Sequence, residues 1–423
     1  MSALQADATD TIPPGTGHES GRRVLVLEPR SDGHRGYYLQ WSVEAMRAAG
    51  WLVHVMTLQS ALAHPAVAKL RDGADPGLEV TALDDAEAIP DATPLFRREF
   101  RYWSLFRKCH SLAGRQRPDL VFIPYLDYCL YMIGLLGSPF GATPWSGIAM
   151  RPSFHYPRMG IAARPSRLDG VKRRLLLRAL NNRTLAMLFS IDEALIDYFA
   201  ADADSRRRLS FVPEPFDLAA PMRRGDARER LNLKPDKWYL LVFGAISHRK
   251  GLRELTNAMR LERFPGDVEV LVAGVVDQDM SLFLDRLRQE QPRLYARLHL
   301  FSGFVSSGTE AQLFAACDAV WLGYVDHFAA SGVLVQAGRA ARPVMACDAG
   351  LIGWQTRRHR LGRTFDPKDA DGVAAAVNAL KGDPRLSAEC AENGQRTFAK
   401  NSLGGAQAAL ISGLGHSREE KTR

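Results

Sequence analysis

The 423-residue sequence contains no apolar run of about 18 residues, the length a helix needs to cross a bilayer; the best stretch, around Tyr128 to Gly137, is near ten. Its five cysteines, Cys109, Cys129, Cys317, Cys347 and Cys390, are scattered with no C-x-x-C pair. That excludes a disulfide scaffold and a cysteine-rich zinc site, and it fits a reducing compartment, so a cytoplasmic location is expected. No acidic D-x-D triplet closes a strand candidate and no H-x-x-H pair occurs. No metal and no cofactor are therefore expected. Residues 1–21 are polar, with Pro13, Pro14 and several glycines. They lack the basic start and apolar core of a secretory signal and read as a disordered tail.

What is present is the mixture of a soluble globular chain: 46% hydrophobic and 24% charged residues, with 55 Lys and Arg against 47 Asp and Glu, a net charge of +8. That composition excludes wholesale disorder, and the length allows two or three domains. From Arg22, short apolar runs alternate with longer amphipathic ones. Strands are predicted at Arg23–Glu28, Leu52–Thr57, Asp119–Ile123, Trp145–Met150, Leu185–Ser190 and Leu209–Val212. Pro213, Pro215 and Pro221 then punctuate a non-periodic stretch. After it come Trp238–Phe243, Val268–Ala273, Leu298–Phe301, Ala319–Leu322 and Val344–Cys347. Continuous apolar strands separated by helices predict parallel sheets covered on both faces. The fold class expected is α/β, two Rossmann-like domains facing across a cleft, at 22–216 and 217–395. Pro384 to Gly413 is predicted helical, and residues 396–423 are expected to cross back to the first domain and end in a tail. Helix starts are read from two capping boxes, Ser190 with Glu193 and Ser307 with Glu310.

Three segments carry candidate chemistry. Pro29 to Gly36 follows the first strand, and its Gly33, His34 and Gly36 precede a helix whose N-terminus favours anions. Gly244 to Gly251 follows the strand ending at Phe243 and brings Arg249 and Lys250, a planar fork and a point charge suited to phosphate. Ser331 to Val344 reads as a helix begun by Ser331, with Gly332 and Val333 in its first turn and the amide Gln336 isolated among apolar and small residues.

These segments resemble the retaining two-Rossmann glycosyltransferases of the GT-B type, the family 4 or group 1 enzymes. Gly244 to Gly251 is similar to the family's phosphate element, Gly303-Phe304-Val305 to its nucleobase loop, and Ser331 to Val344 to the helix and strand around the sugar nucleotide. The resemblance implies metal-independent sugar transfer with retention from a nucleotide-sugar donor. It places the donor on Gly244, Arg249, Lys250, Phe304, Val305, Ser331, Gly332, Val333 and Gln336, and the acceptor (glycan, lipid-linked or small molecule) near Gly33, His34 and Gly36. The family's paired glutamates are missing. Their places fall on Phe328 and Gln336, no glutamate occurs from Ala311 to Ala388, and Asp326 is the nearest acid. The family's arginine after the first glycine is Ala245 here. A non-catalytic sugar-nucleotide or glycan binder and another enzyme on the same scaffold, such as a nucleotide-sugar epimerase, therefore remain alternatives.

Between Arg151 and Arg183 stand nine basic residues against the single acid Asp169, and nine minus one equals the +8 of the whole chain. Leu168 to Leu180 reads as a basic amphipathic helix there. It suits an anionic membrane surface, and a peripheral place at the inner face of a membrane is expected; nucleic acid is not, since no motif for it accompanies the charge. His155 and Tyr156 lie in this segment, and His155, with Lys250 and Arg249, is expected in the catalytic machinery. Asp192 and Glu193 are read as helix caps.

Overall fold

The structure, a computed structural model, describes residues 21–161, 164–216 and 222–419. The expected N-terminal tail lies outside these residues except for Gly21, as does the end of the chain from residue 420. By internal contacts the chain divides into two units. The first takes the described residues up to His155, then Ser166–Pro213 and those from Leu403 onward; the second takes Tyr156–Pro165 and Glu214–Ser402.

The first unit holds seven parallel strands: β1 (Arg23–Leu27), β2 (Leu52–Leu58), β3 (Leu78–Leu83), β4 (Leu120–Ile123), β5 (Trp145–Ala149), β6 (Leu185–Ser190) and β7 (Leu209–Phe211). Their order is β3-β2-β1-β4-β5-β6-β7. Because β1 pairs with both β2 and β4, the chain reverses its progress across the sheet at β1. Fully buried strands such as β4, LVFI, fit a sheet covered on both faces. One face packs Leu25, Phe106, Val121 and Trp145, and the other packs Val26, Leu39, Phe122 and Phe189. The helix Leu403–Glu419 adds Ala406, Leu410 and Leu414 to the second face.

The second unit holds β8 (Trp238–Phe243), β9 (Val268–Gly274), β10 (Leu298–Ser302), β11 (Ala319–Leu322), β12 (Val344–Cys347) and β13 (Gly362–Phe365), all parallel, in the order β10-β9-β8-β11-β12-β13. Here the reversal falls between β8 and β11. In open parallel sheets a ligand binds beyond the carboxyl ends of the strands at such a reversal.

Several local expectations change. Strands β3 and β13 were not predicted; both lie at sheet edges, where half-exposed residues break the continuous apolar run that marks the inner strands. Pro384 to Gly413 is two helices, Pro384–Thr397 and Leu403–Glu419. Neither capping box forms as expected. Asp192, not Ser190, caps the helix Glu193–Tyr198, accepting from Ala194 and Leu195 N–H. Ser306, not Ser307, caps Ser307–Ala316 by accepting from Thr309 N–H. Ser190 ends β6 two residues before the cap position and Ser307 already lies inside its helix, whereas the cap is the extended residue that immediately precedes the first helical one.

Candidate active site

In the second unit the carboxyl ends of β8 and β11 are stitched together by backbone. Gly244 turns the chain away from β8 at φ +100, and the short turn His248–Lys250 follows. Gly251 stands at φ +67, and a Cβ there would come within 1.9 Å of the Gly323 carbonyl. Only glycine allows that approach and that backbone conformation together. The indole Nε1 of Trp321 donates to the Lys250 carbonyl at 2.9 Å, and the Val325 N–H donates to the Arg249 carbonyl at 2.9 Å.

This stitching buries the Lys250 side chain, which is 4% exposed. Its ammonium donates to the Tyr324 hydroxyl at 2.5 Å and lies 4.4 Å from that ring's centroid. The Tyr324 hydroxyl in turn lies 3.2 Å from Ser331 Oγ. Burial, then the neighbouring Arg249 charge, lowers Lys250 to about 7; burial pushes Tyr324 up to about 12. Among the described residues neither Arg249 nor Lys250 pairs with a carboxylate. Two cations without counter-anions at a strand reversal favour an anionic ligand.

Ser331 stands at the N-cap position of the helix Gly332–Arg339 but its side chain caps nothing. The expected cap is corrected: the hydroxyl is drawn to Tyr324 instead. Among the described residues no side chain accepts from the first-turn N–H groups, which stand beside the Lys250–Tyr324–Ser331 chain, as a diphosphate would require. Gly332 packs on Phe216, where a Cβ would meet the ring at 2.5 Å. At the end of β10, Gly303 sits at φ +102 with its N–H on the Gly274 carbonyl, and Phe304 is 93% exposed. Val305 and Val333 pack against the same apolar core. Gln336 is not isolated, as its apolar helix suggested: its Nε2 donates to Glu310 Oε1 at 2.9 Å. Asp326 is exposed at φ 51 and lies 3.6 Å from Arg164 and 3.9 Å from Lys368.

In the first unit Gly33 turns at φ +62, His34 is exposed, and Gly36 packs so closely that a Cβ would come within 2.5 Å of the His64 ring. The N–H groups of Arg35 and Gly36 turn to the carbonyls of Asp32 and Ser31. The Asp32 carboxylate itself pairs with Arg30 and Arg35. The helix start expected to attract an anion is therefore already occupied by the chain's own acceptors. His155 also departs from expectation. It is 0% exposed, with Nε2 3.0 Å from the Asp192 carboxylate, so its ring is a buried tie between segments rather than a group open to a substrate. Asp192 thereby combines the helix cap with a histidine contact.

Three residues that the sequence did not place in the site stand at the carboxyl edges of the sheets, Glu310 having been read there only as half of a capping box. Tyr324 and Glu310 are described above. Glu28 follows β1, fully buried, accepting from the Tyr128 hydroxyl at 2.6 Å and from the Arg30 N–H at 3.2 Å, while its second oxygen has no partner among the described residues. Burial raises its carboxyl to about 8. The signal available was a lone acid closing the apolar run RVLVL.

Residues 223–397 match the family model described as glycosyl transferases group 1. Over 184 residues the chain is 32% identical to the phosphatidyl-myo-inositol mannosyltransferase of Mycolicibacterium smegmatis, covering 42% of this chain and 44% of that protein. The match spans less than half the length of that curated relative. Among solved structures, sucrose-phosphate synthase from Thermosynechococcus elongatus aligns with a TM-score of 0.67 at 18% identity, covering 95% of this chain and 100% of that one. The Anabaena protein HepE in complex with UDP aligns with a TM-score of 0.64 at 17% identity, covering 93% and 100%.

Proposed function

We propose, from the premise that residues 223–397 belong to the glycosyl transferases group 1 family, that this chain is a GT-B glycosyltransferase moving a sugar from a nucleotide donor to an acceptor hydroxyl, with retention and without a metal ion. The observation that carries the reading is the Lys250–Tyr324–Ser331 chain beside Arg249 and a helix start with no side-chain cap. In this reading the donor diphosphate takes the Lys250 ammonium, the Arg249 guanidinium and the N–H groups of Gly332 and Val333, with Gly244 leaving room beside it. Phe304 and Val305 flank the base, and Gln336 serves the ribose. As the bond between sugar and diphosphate breaks, negative charge grows on the departing phosphate. Cations and oriented N–H groups already in place stabilise that charge more in the transition state than in the bound donor. Tyr324 keeps the ammonium aimed while it is desolvated.

The complex of HepE with UDP, and a second of the same protein with UDP-glucose, support a nucleotide-sugar donor by likeness of fold. The acceptor is assigned to the Gly33-His34-Gly36 loop of the first unit. The name of the mannosyltransferase relative favours a lipid acceptor over a soluble glycan. No helix among the described residues is long and apolar enough to cross a membrane. An anionic membrane met peripherally, from the cytoplasmic side, is the partner surface that fits the basic segment Arg151 to Arg183.

The test is transfer and donor hydrolysis assayed over a panel of UDP-, GDP- and ADP-sugars, with and without EDTA. Lys250→Ala should lower turnover about a hundredfold, roughly 2.7 kcal/mol, while donor affinity falls much less. Unchanged turnover in the double variant Arg249→Ala, Lys250→Ala would remove the reaction from this edge of the sheet. Inhibition by EDTA would rule out the metal-free route, and an inverted anomeric product would rule out retention.

A further inference from the structure

We infer that Glu310, held by Gln336, is the carboxylate that recognises the ribose diol of the donor, so that the acid this recognition needs comes from a different helix. The inference rests on the donor reading above and adds a residue to it.

Glu310 lies in the first turn of Ser307–Ala316 and Gln336 in Gly332–Arg339, and both helices start from the carboxyl edge of the second sheet. Gln336 Nε2 satisfies one carboxylate oxygen at 2.9 Å. The other oxygen has no protein donor among the described residues, and no Lys, Arg or His there forms an ion pair with Glu310. Glu310 is half-buried, and burial holds its carboxyl above the ordinary range. A partly desolvated carboxylate without a cation is costly unless neutral donors reach it. Vicinal hydroxyls are such donors, whereas a phosphate would be repelled. Gln336 stands four residues beyond Gly332, ~6 Å along the helix axis at 1.5 Å per residue. A nucleoside diphosphate with its phosphates at the helix start has its ribose within that reach. The exposed Phe304 ring lies six residues before Glu310 in sequence, at the start of the same segment.

The pair also accounts for the amide at 336. A glutamate there would place two carboxylates at hydrogen-bond distance, which cannot both ionise without strong repulsion. The amide instead donates to the acid and leaves its own oxygen to accept a second hydroxyl.

Titration calorimetry of the full chain with UDP, GDP and their 2′-deoxy and 3′-deoxy counterparts tests this, with thermal melts to verify folding. The wild-type chain should prefer a ribonucleotide over its deoxy forms. Glu310→Gln should weaken the ribonucleotide about tenfold and the deoxy forms little, the loss of one charge-assisted hydrogen bond. Gln336→Glu alone should weaken binding, and Glu310→Gln combined with Gln336→Glu should restore it, because the exchanged pair again holds one acid and one amide. Wild-type affinity and discrimination in folded Glu310→Gln would overturn the assignment of Glu310 and leave the donor reading standing. A wild-type chain that binds none of these nucleotides would overturn the donor reading and this inference with it.

Discussion

Two buried ionisable groups, one in each unit, titrate in opposite senses. Lys250 falls to about 7 from an ordinary 10.5. Below about pH 7 the folded and unfolded chains both carry the charge, and burial penalises the fold fully. Between there and 10.5 the unfolded chain holds the extra proton, so the contribution to stability rises with pH. A diphosphate beside the ammonium favours its charged form, so ligand binding above pH 7 should take up a proton. Calorimetric titration with UDP at pH 8, in buffers of different ionisation enthalpy, should show that uptake in the wild-type chain and none in Lys250→Met; buffer-independent heats in the wild-type chain would contradict it. Glu28 is the reverse case, raised to about 8 from 4.5. The folded chain holds a proton the unfolded one has lost, so this stability is complete below 4.5 and declines as pH rises through 8. Glu28→Gln keeps an oxygen for Tyr128 and for the Arg30 N–H. It should stabilise the first unit at pH 9 by on the order of 1 kcal/mol and flatten the pH dependence of its melting. A melting curve with unaltered pH dependence would show that Glu28 is ionised in the fold.

At the scale of elements, the inner strands could be read from sequence because burial on both faces leaves continuous apolar runs such as AVWL and VEVLVA. Two of the four edge strands, β3 and β13, could not, since LEVTAL and GRTF carry exposed residues. The Gly244–Gly251 turn was legible from its glycines and adjacent cations. Its burial of Lys250 under Tyr324 was not, because that depends on β8 and β11 becoming neighbours from 75 residues or more apart, which no local pattern encodes. Glu310 was read only as a capping-box acid for the same reason: a helical first turn explains an acid there well enough by itself. The basic helix, predicted from Leu168, spans Asp169–Leu180, and it adjoins the helix Leu95–Leu112 along a groove lined by Leu95, Phe96, Leu168, Val171 and Lys172. Leu95, Phe96, Leu168 and Val171 are all exposed. Apolar side chains beside cations suit an anionic bilayer better than water. Flotation should recover the protein with phosphatidylglycerol vesicles at low salt and far less with phosphatidylcholine vesicles or at 0.5 M salt, each basic residue at the surface adding about 1 kcal/mol. Phe96→Ser with Val171→Ser should reduce that recovery without changing the salt dependence. Equal recovery on neutral and anionic vesicles would exclude the surface.

At the scale of the molecule, the first unit is built from segments on both sides of the second unit's main stretch. The helix Leu403–Glu419 lays Ala406, Leu410 and Leu414, each wholly buried, against the face that also holds Val26 and Phe189. Gly413 meets Phe189 so closely that a Cβ would stand 2.6 Å from its ring. Leu410→Ala should therefore cost the first unit about 2–4 kcal/mol, and Gly413→Val should also destabilise it. Calorimetry should show the loss in one transition while nucleotide binding by the second unit persists; a simultaneous loss in both would mean the units unfold as one. This construction also sets an order of events at the ribosome. Most of the second unit, Glu214–Ser402, emerges as one uninterrupted stretch and can condense as soon as it leaves the exit tunnel. The first unit's strands are translated earlier yet wait for their closing helix until the second unit's main stretch has been made, so the sheet stays incompletely covered through the making of some 190 intervening residues, a window in which nascent chains depend on chaperones.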